Sequence, residues 1–165
     1  MRTVLMGENT LHLQGEEVSL DTKLVLKGAK AGSLAQEEVS RQHEYAVLAT
    51  FPSINTSVCD MQILELGKIS EKMPNFDYIS FSADLPTALG DYKNIHPTGK
   101  VEMYSDYYEL LVAKQLGMLV DEVHLLNRAM FILDKNNKVI YKQINNQIKD
   151  QVDFEKFTKE LNKYN

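Results

Sequence analysis

From Tyr45 to Phe51 the chain reads Tyr45-Ala46-Val47-Leu48-Ala49-Thr50-Phe51, an almost unbroken apolar run that Pro52 and Ser53 end. Such a run predicts a strand covered on both faces. A helix is predicted next, from about Val58 to Met73. Leu66, Ile69 and Met73 form one stripe of it, Ile63 and Gln62 lie beside that stripe, and Gly67 weakens it. Phe76-Asp77-Tyr78-Ile79-Ser80-Phe81-Ser82 then alternates as a strand. The three pieces make a strand–helix–strand unit, with parallel strands and a right-handed connection. Further along, Asp106 with Glu109 has the form of a capping box before a helix carrying Leu110, Leu111, Val112 and Ala113. Ala129 to Leu133 is a predicted strand, Asp134 to Lys138 a turn, and Val139 to Ile144 the returning partner. A closing helix places Phe154, Phe157, Leu161 and Tyr164 on one face. At the other end of the chain, Val4-Leu5-Met6 and Thr10-Leu11-His12-Leu13 flank a Gly7-Glu8-Asn9 turn and predict a hairpin. Between Leu20 and Glu44 the periodicity is weak, and a short helix is predicted from about Ser33 to Gln42.

A βαβ unit followed by a β-hairpin and a final helix is the order of the thioredoxin fold, so the expected class is α/β, thioredoxin-like, with an N-terminal β-hairpin. The 165 residues contain no repeat, linker or low-complexity stretch, which points to one domain over residues 1–165. Hydrophobic residues make up 44% of the chain and charged ones 25%, enough apolar surface for a core without help from metals or disulfides. The net charge of −5, with Lys and Arg scattered, supplies no cationic field for nucleic acid or anionic membranes. No run approaches the ~20 apolar residues of a membrane span, and the N-terminus lacks the apolar core of a signal peptide. A cytoplasmic location is therefore expected, and a single cysteine, which excludes an intrachain disulfide, agrees with it.

That cysteine carries the candidate chemistry. In Pro52-Ser53-Ile54-Asn55-Thr56-Ser57-Val58-Cys59 a buried strand feeds a short loop, and Cys59 enters the first turn of the following helix. Unpaired backbone N–H groups and the positive end of the helix dipole stabilise an anion there. Thiolate is the nucleophilic form of cysteine. Thr56, three residues earlier, is placed to turn its hydroxyl towards the sulfur or a bound oxygen, and Pro52 to fix the loop and keep water out. An inert core cysteine fits the same pattern, and pattern alone leaves both readings open. His12, His43, His96 and His124 lack a metal-ligand spacing, so neither metal nor cofactor is expected. The Tyr104-Ser105-Asp106-Tyr107-Tyr108 stretch reads as core and cap, and Asp84 with Pro86 as a turn near the site.

The same string resembles the peroxiredoxin signature Pro-x-x-x-Thr-x-x-Cys in its thiol peroxidase form, the atypical two-cysteine branch. His12-Leu13-Gln14-Gly15 resembles the end of that branch's N-terminal hairpin. Ile79-Ser80-Phe81-Ser82-Ala83-Asp84-Leu85-Pro86 resembles its strand ending in Ser-Ala-Asp-Leu-Pro. Leu125-Leu126-Asn127-Arg128-Ala129-Met130-Phe131-Ile132-Leu133-Asp134 resembles its Leu-Leu-Ala-Arg-Ala-Val-Phe-Val-Leu-Asp stretch. The resemblance keeps its order over most of the chain. It implies a peroxidase in which Cys59 is the peroxidatic thiolate and becomes a sulfenic acid. Arg128 would hold the thiolate and bind peroxide oxygen, Thr56 would hydrogen-bond the reacting oxygens, and Pro52 would shield the pocket. Without the resemblance, Arg128 reads as a surface arginine at a strand end, its stem lying along apolar surface.

The departures matter as much. Thr87 to Gly99, where such proteins carry a resolving cysteine, holds none. The sulfenic acid must then be reduced by an external thiol, from a thioredoxin-like protein or a small thiol. Leu24-Val25-Leu26-Lys27 stands where the family has Ala-Pro-x-Phe, and Asn55 replaces the Asp usual before the motif's Thr. A low-turnover peroxide sensor or binding module fits these departures too. A dithiol oxidoreductase does not, because it needs Cys-x-x-Cys. The resemblance further implies a homodimer.

Overall fold

The computed structural model describes residues 1–165. Its centre is a seven-stranded mixed sheet. In chain order the elements are β1 (Thr3–Met6), β2 (Asn9–His12), β3 (Lys27–Lys30), β4 (Gln36–Glu38), β5 (Ala46–Thr50), α1 (Ser57–Lys72), β6 (Asp77–Ser82), α2 (Pro86–Ile95), β7 (Val101–Ser105), α3 (Leu111–Leu116), β8 (Leu119–Val120), β9 (Leu125–Leu126), β10 (Ala129–Leu133), β11 (Val139–Ile144) and α4 (Phe154–Asn162). The strand order across the large sheet is β11-β10-β5-β6-β7-β3-β4, while β1-β2 and β8-β9 form separate two-stranded ribbons. As predicted, β5 and β6 run parallel with α1 between them and β10 pairs antiparallel with β11; β10 also pairs antiparallel with β5. All five residues of β5 and of β10 are buried, so these two strands lie under layers on both faces.

Side-chain alternation in the strands divides the core in two. Val47, Ala49, Tyr78, Met130 and Ile132 face one apolar cluster together with the stripe of α1 and with Phe157 and Leu161 of α4. Leu48, Ile79, Phe81, Phe131 and Leu133 face the other, completed by α3 and by Leu24 and Leu26. Every predicted stripe residue of α1 is buried. Gly67 is required there, because a Cβ on it would lie 2.9 Å from the Thr98 carbonyl carbon. Phe157 and Leu161 are buried in α4, whereas Tyr164 lies past the helix end and packs tilted against Tyr45 with ring centroids 4.9 Å apart.

The helix predicted from Ser33 to Gln42 is absent. Residues 36–38 form β4, which returns antiparallel along β3 with Gly28 opposite Glu37. Gln and Glu favour helix by local propensity, but here the backbone pairs with β3 and so extends the sheet. On its other edge β3 docks against β7, and Gly28 permits that approach, since a Cβ on it would meet the Ser105 carbonyl oxygen at 2.6 Å. The capping box holds only in part. Asp106 accepts hydrogen bonds from the Val112 (3.2 Å) and Ala113 (2.8 Å) amides, so it caps α3 from farther back than the Glu109 spacing predicts. Leu110, in a left-handed conformation with φ 53°, turns the chain between them. Tyr104 and Asp106 are buried as core and cap, as read from the sequence.

Candidate active site

The buried end of β5 delivers the chain into a loop over residues 51–56, and Thr56 is the N-cap of α1. Cys59 therefore lies in the first helical turn, where backbone N–H groups have no partners within the helix. Its sulfur is fully buried within the apolar cluster that includes Phe51, Ile54 and Ile63. Arg128, which enters β10 from the other side of β5, is only 2% exposed. Its Nη2 donates to Cys59 Sγ at 3.3 Å. A strand-end arginine on the surface is thus excluded, and the two residues implied by the resemblance are in contact.

The guanidinium is held at two further points. Nη1 donates to Gln62 Oε1 at 2.7 Å, and Nε donates to the Ile148 carbonyl at 3.0 Å. Gln62 lies three residues after Cys59 on the buried face of α1, so one helical turn presents both the sulfur and an acceptor for its partner. The only sequence signal for that role is a polar residue beside the apolar stripe. Gln62 Nε2 in turn reaches the Thr50 carbonyl and Met130 Sδ. An arginine fork fixed at two donors presents the third with little freedom left.

The loop before α1 is tied down by Asp84, which the sequence shows only as a turn former. Its carboxylate accepts from the Ser53 hydroxyl (3.0 Å), the Ile54 amide (2.9 Å) and the Ser82 hydroxyl (2.8 Å). Pro52 is buried at the head of this loop. Thr56 is different. It is exposed, and its hydroxyl donates back to the Ser53 carbonyl at 3.0 Å instead of towards the sulfur. On the far side of the helical turn, Tyr92 of α2 donates a short hydrogen bond to Asp60, and His96 stacks on the Tyr92 ring at 3.9 Å. Burial, reinforced by the Asp60 carboxylate, raises the Tyr92 phenol far above its ordinary range. It is a fixed donor at every physiological pH.

An open cleft of about 320 Å³ lies beside the Cys59 turn, lined by Ile54, Asn55, Thr56, Asp60 and Tyr92. Another, of about 350 Å³, lies at the opposite end of the sheet among His43, Asp77, Lys100 and Tyr104, away from the sulfur. No group of three or more His, Cys, Asp or Glu side chains is arranged to hold a metal ion. His12 and His43 each pair with one carboxylate, from Glu122 and Asp77.

A family model described as the AhpC/TSA family matches residues 18–142. The chain belongs to that family. A thiol peroxidase of Streptococcus parasanguinis is 31% identical over 143 residues, 87% of this chain and 85% of that protein. A thiol peroxidase of Staphylococcus haemolyticus is 30% identical over 99% of this chain and 98% of that one. In fold, the chain superposes on a peroxiredoxin-like protein from Aquifex aeolicus with a TM-score of 0.86 and 24% identity, covering 99% of this chain and 97% of that one. The α/β, thioredoxin-like architecture of peroxiredoxin type is thereby shown, with the N-terminal hairpin that the sequence predicts.

Proposed function

We propose that this chain is a thiol peroxidase that reduces hydrogen peroxide or alkyl hydroperoxides through a sulfenic acid on Cys59. The carrying observation is the 3.3 Å hydrogen bond from Arg128 to the buried Cys59 sulfur, in a chain about 30% identical to thiol peroxidases of Streptococcus parasanguinis and Staphylococcus haemolyticus. The Cys59 thiolate attacks the terminal peroxide oxygen, forming an S–O bond as the O–O bond breaks. The departing oxide takes a proton and leaves as water or an alcohol. Arg128 stabilises the thiolate, and with three of its five N–H donors engaged it keeps two for the peroxide oxygens. Pro52 shields the sulfur. Thr56 reaches the reacting oxygens only after its hydroxyl leaves the Ser53 carbonyl, a rotation about one side-chain bond.

With one cysteine in the chain, recycling requires a thiol from outside. That thiol attacks the sulfenic sulfur, releases water and forms a mixed disulfide, and a second thiol then frees Cys59 as a thiolate. A thioredoxin-like protein or a small thiol supplies both equivalents. Residues 1–165 act in this scheme as one domain, in the cytoplasm and as a homodimer. No helix is long and apolar enough to cross a membrane, and Leu85 just before α2 and Ile95 at its end are exposed apolar side chains that a second subunit could cover.

Stopped-flow detection of Cys59 sulfenic acid after one equivalent of peroxide tests this. Oxidation is expected orders of magnitude faster than for a free thiol, and at least about 100-fold slower in Arg128→Ala, the loss typical of a missing electrostatic donor. Oxidation no faster than free cysteine sinks the peroxidase. Fast oxidation without multiple turnover on any added thiol identifies a sensor instead.

A further inference from the structure

The N-terminal hairpin is not hydrogen-bonded to the seven-stranded sheet, yet a continuous set of contacts joins it to Arg128. The segment over residues 145–152, between β11 and α4, lies alongside β1 as a parallel strap. Leu5 N donates to the Asn146 carbonyl at 2.9 Å, and Ile148 N donates to the Leu5 carbonyl at 2.8 Å. Gln147 clamps the hairpin's turn from both sides. Its Oε1 accepts from the Gly7 amide at 2.8 Å, and its Nε2 donates to the Gly7 carbonyl at 3.1 Å. The side chain of the next residue, Ile148, packs with Val4, Leu13 and Val120 in a small core of the hairpin's own. The carbonyl of that same residue accepts from Arg128 Nε. Three residues on, Gln151 Nε2 donates to the Val58 carbonyl at 3.1 Å, one residue before the reactive sulfur. The strap thus touches Arg128 directly and the residue before Cys59, and its register is set by the hairpin.

We propose that Gln147 is a positioning residue for the peroxide site, fixing the Ile148 carbonyl and through it the Arg128 guanidinium. This rests on the peroxidase reading above. Gln147 touches neither sulfur nor peroxide. Its Oε1, held by Gly7, also accepts from the Lys149 amide at 3.3 Å, the N–H of the same peptide plane that carries the Ile148 carbonyl. Without that anchor the plane is free to rotate while the Leu5 pairs keep the strap's register, and the carbonyl swings away from Nε and tilts the fork off Cys59.

The test is a double-mutant cycle in the full chain, read as the second-order rate of Cys59 oxidation by hydrogen peroxide. Gln147→Ala leaves the main-chain pairs of Leu5 in place, so the hairpin stays docked. The rate is expected to fall about tenfold, since misplacing a catalytic group by a fraction of an ångström costs that order. In an Arg128→Ala background the same substitution is expected to slow oxidation no further. An unchanged rate in Gln147→Ala overturns the proposal. So does an equal slowing in both backgrounds, because the effect then bypasses the guanidinium. If Arg128→Ala alone leaves oxidation unchanged, the site reading falls, and this inference falls with it.

Discussion

Cys59 gains its chemistry from a neighbour 69 residues away in sequence. At this scale, burial decides what each group does. A guanidinium 2% exposed has little water to turn to, so every donor that lacks a protein partner costs free energy. Gln62 supplies one such partner, and this makes its amide the most informative residue to change after Arg128 and Cys59. Gln62→Leu keeps the volume but leaves Nη1 of Arg128 unpaired. Peroxide oxidation of Cys59 is expected to slow about tenfold through loss of alignment. Stability is expected to drop by about 1–3 kcal/mol through the orphaned donor, measured by urea unfolding. A slower reaction without the stability loss, or the reverse, would show that Gln62 serves only one of the two. The sequence placed Gln62 beside the α1 stripe but gave it no role, because a polar residue near an apolar face is common and its acceptor function needs Arg128 opposite. Thr56 reads the other way. Motif spacing points it at the sulfur, while the local turn gives its hydroxyl a nearer acceptor in Ser53.

Elements meet at two close backbone approaches. α1 crosses residues 97–99 at Gly67, and β3 meets β7 at Gly28. Helix propensity alone makes Gly67 a weakness that Ala would remedy by ~1 kcal/mol. Packing reverses the sign, because the atoms a new Cβ would strike belong to the Pro97 and Thr98 backbone and cannot rotate away. Gly67→Ala is therefore expected to destabilise the protein by about 1–2 kcal/mol net, with overpacking outweighing the propensity gain. A urea titration with an unchanged slope and a lower midpoint would show it. A raised midpoint would mean that α1 shifts freely over residues 97–99. The missing helix at Ser33–Gln42 teaches the same lesson in reverse. Gln36, Glu37 and Glu38 carry helical propensity, but the free edge of β3 takes up their backbone as β4, a pairing that helix propensity does not register.

Over the whole molecule, a half-buried carboxylate and a buried one respond to pH with opposite sign. Burial opposes ionisation of Asp77, yet hydrogen bonds from Arg41 and His43 outweigh it and hold Asp77 below the ordinary carboxylate range. Its contribution is present above its unfolded value and is lost as pH falls through its folded one. Asp106 is pushed up to about 6 by burial, which the amides of α3 only partly offset. Its folded form binds a proton more tightly than the unfolded chain, so its contribution is full below its ordinary value near 3.8 and is lost as pH rises through about 6. Relative to Asp106→Asn, the parent is expected to gain stability on the order of 2 kcal/mol between pH 7 and pH 4. Parallel denaturation curves at the two pH values measure it, and no relative gain would mean that Asp106 is hydrated in solution. The sequence by itself determined the α/β class, the βαβ unit, both hairpins recognised from their turns, and the loop that brings Cys59 into a helix N-terminus. These rest on local periodicity and on turn residues, which are written residue by residue. Only the tertiary structure decided that Arg128 reaches the sulfur, that Gln62 and Ile148 hold it, that Asp84 ties the loop, and that residues 36–38 extend. Each of those joins groups far apart in the chain, and the energy that selects them appears only when burial removes water from both partners.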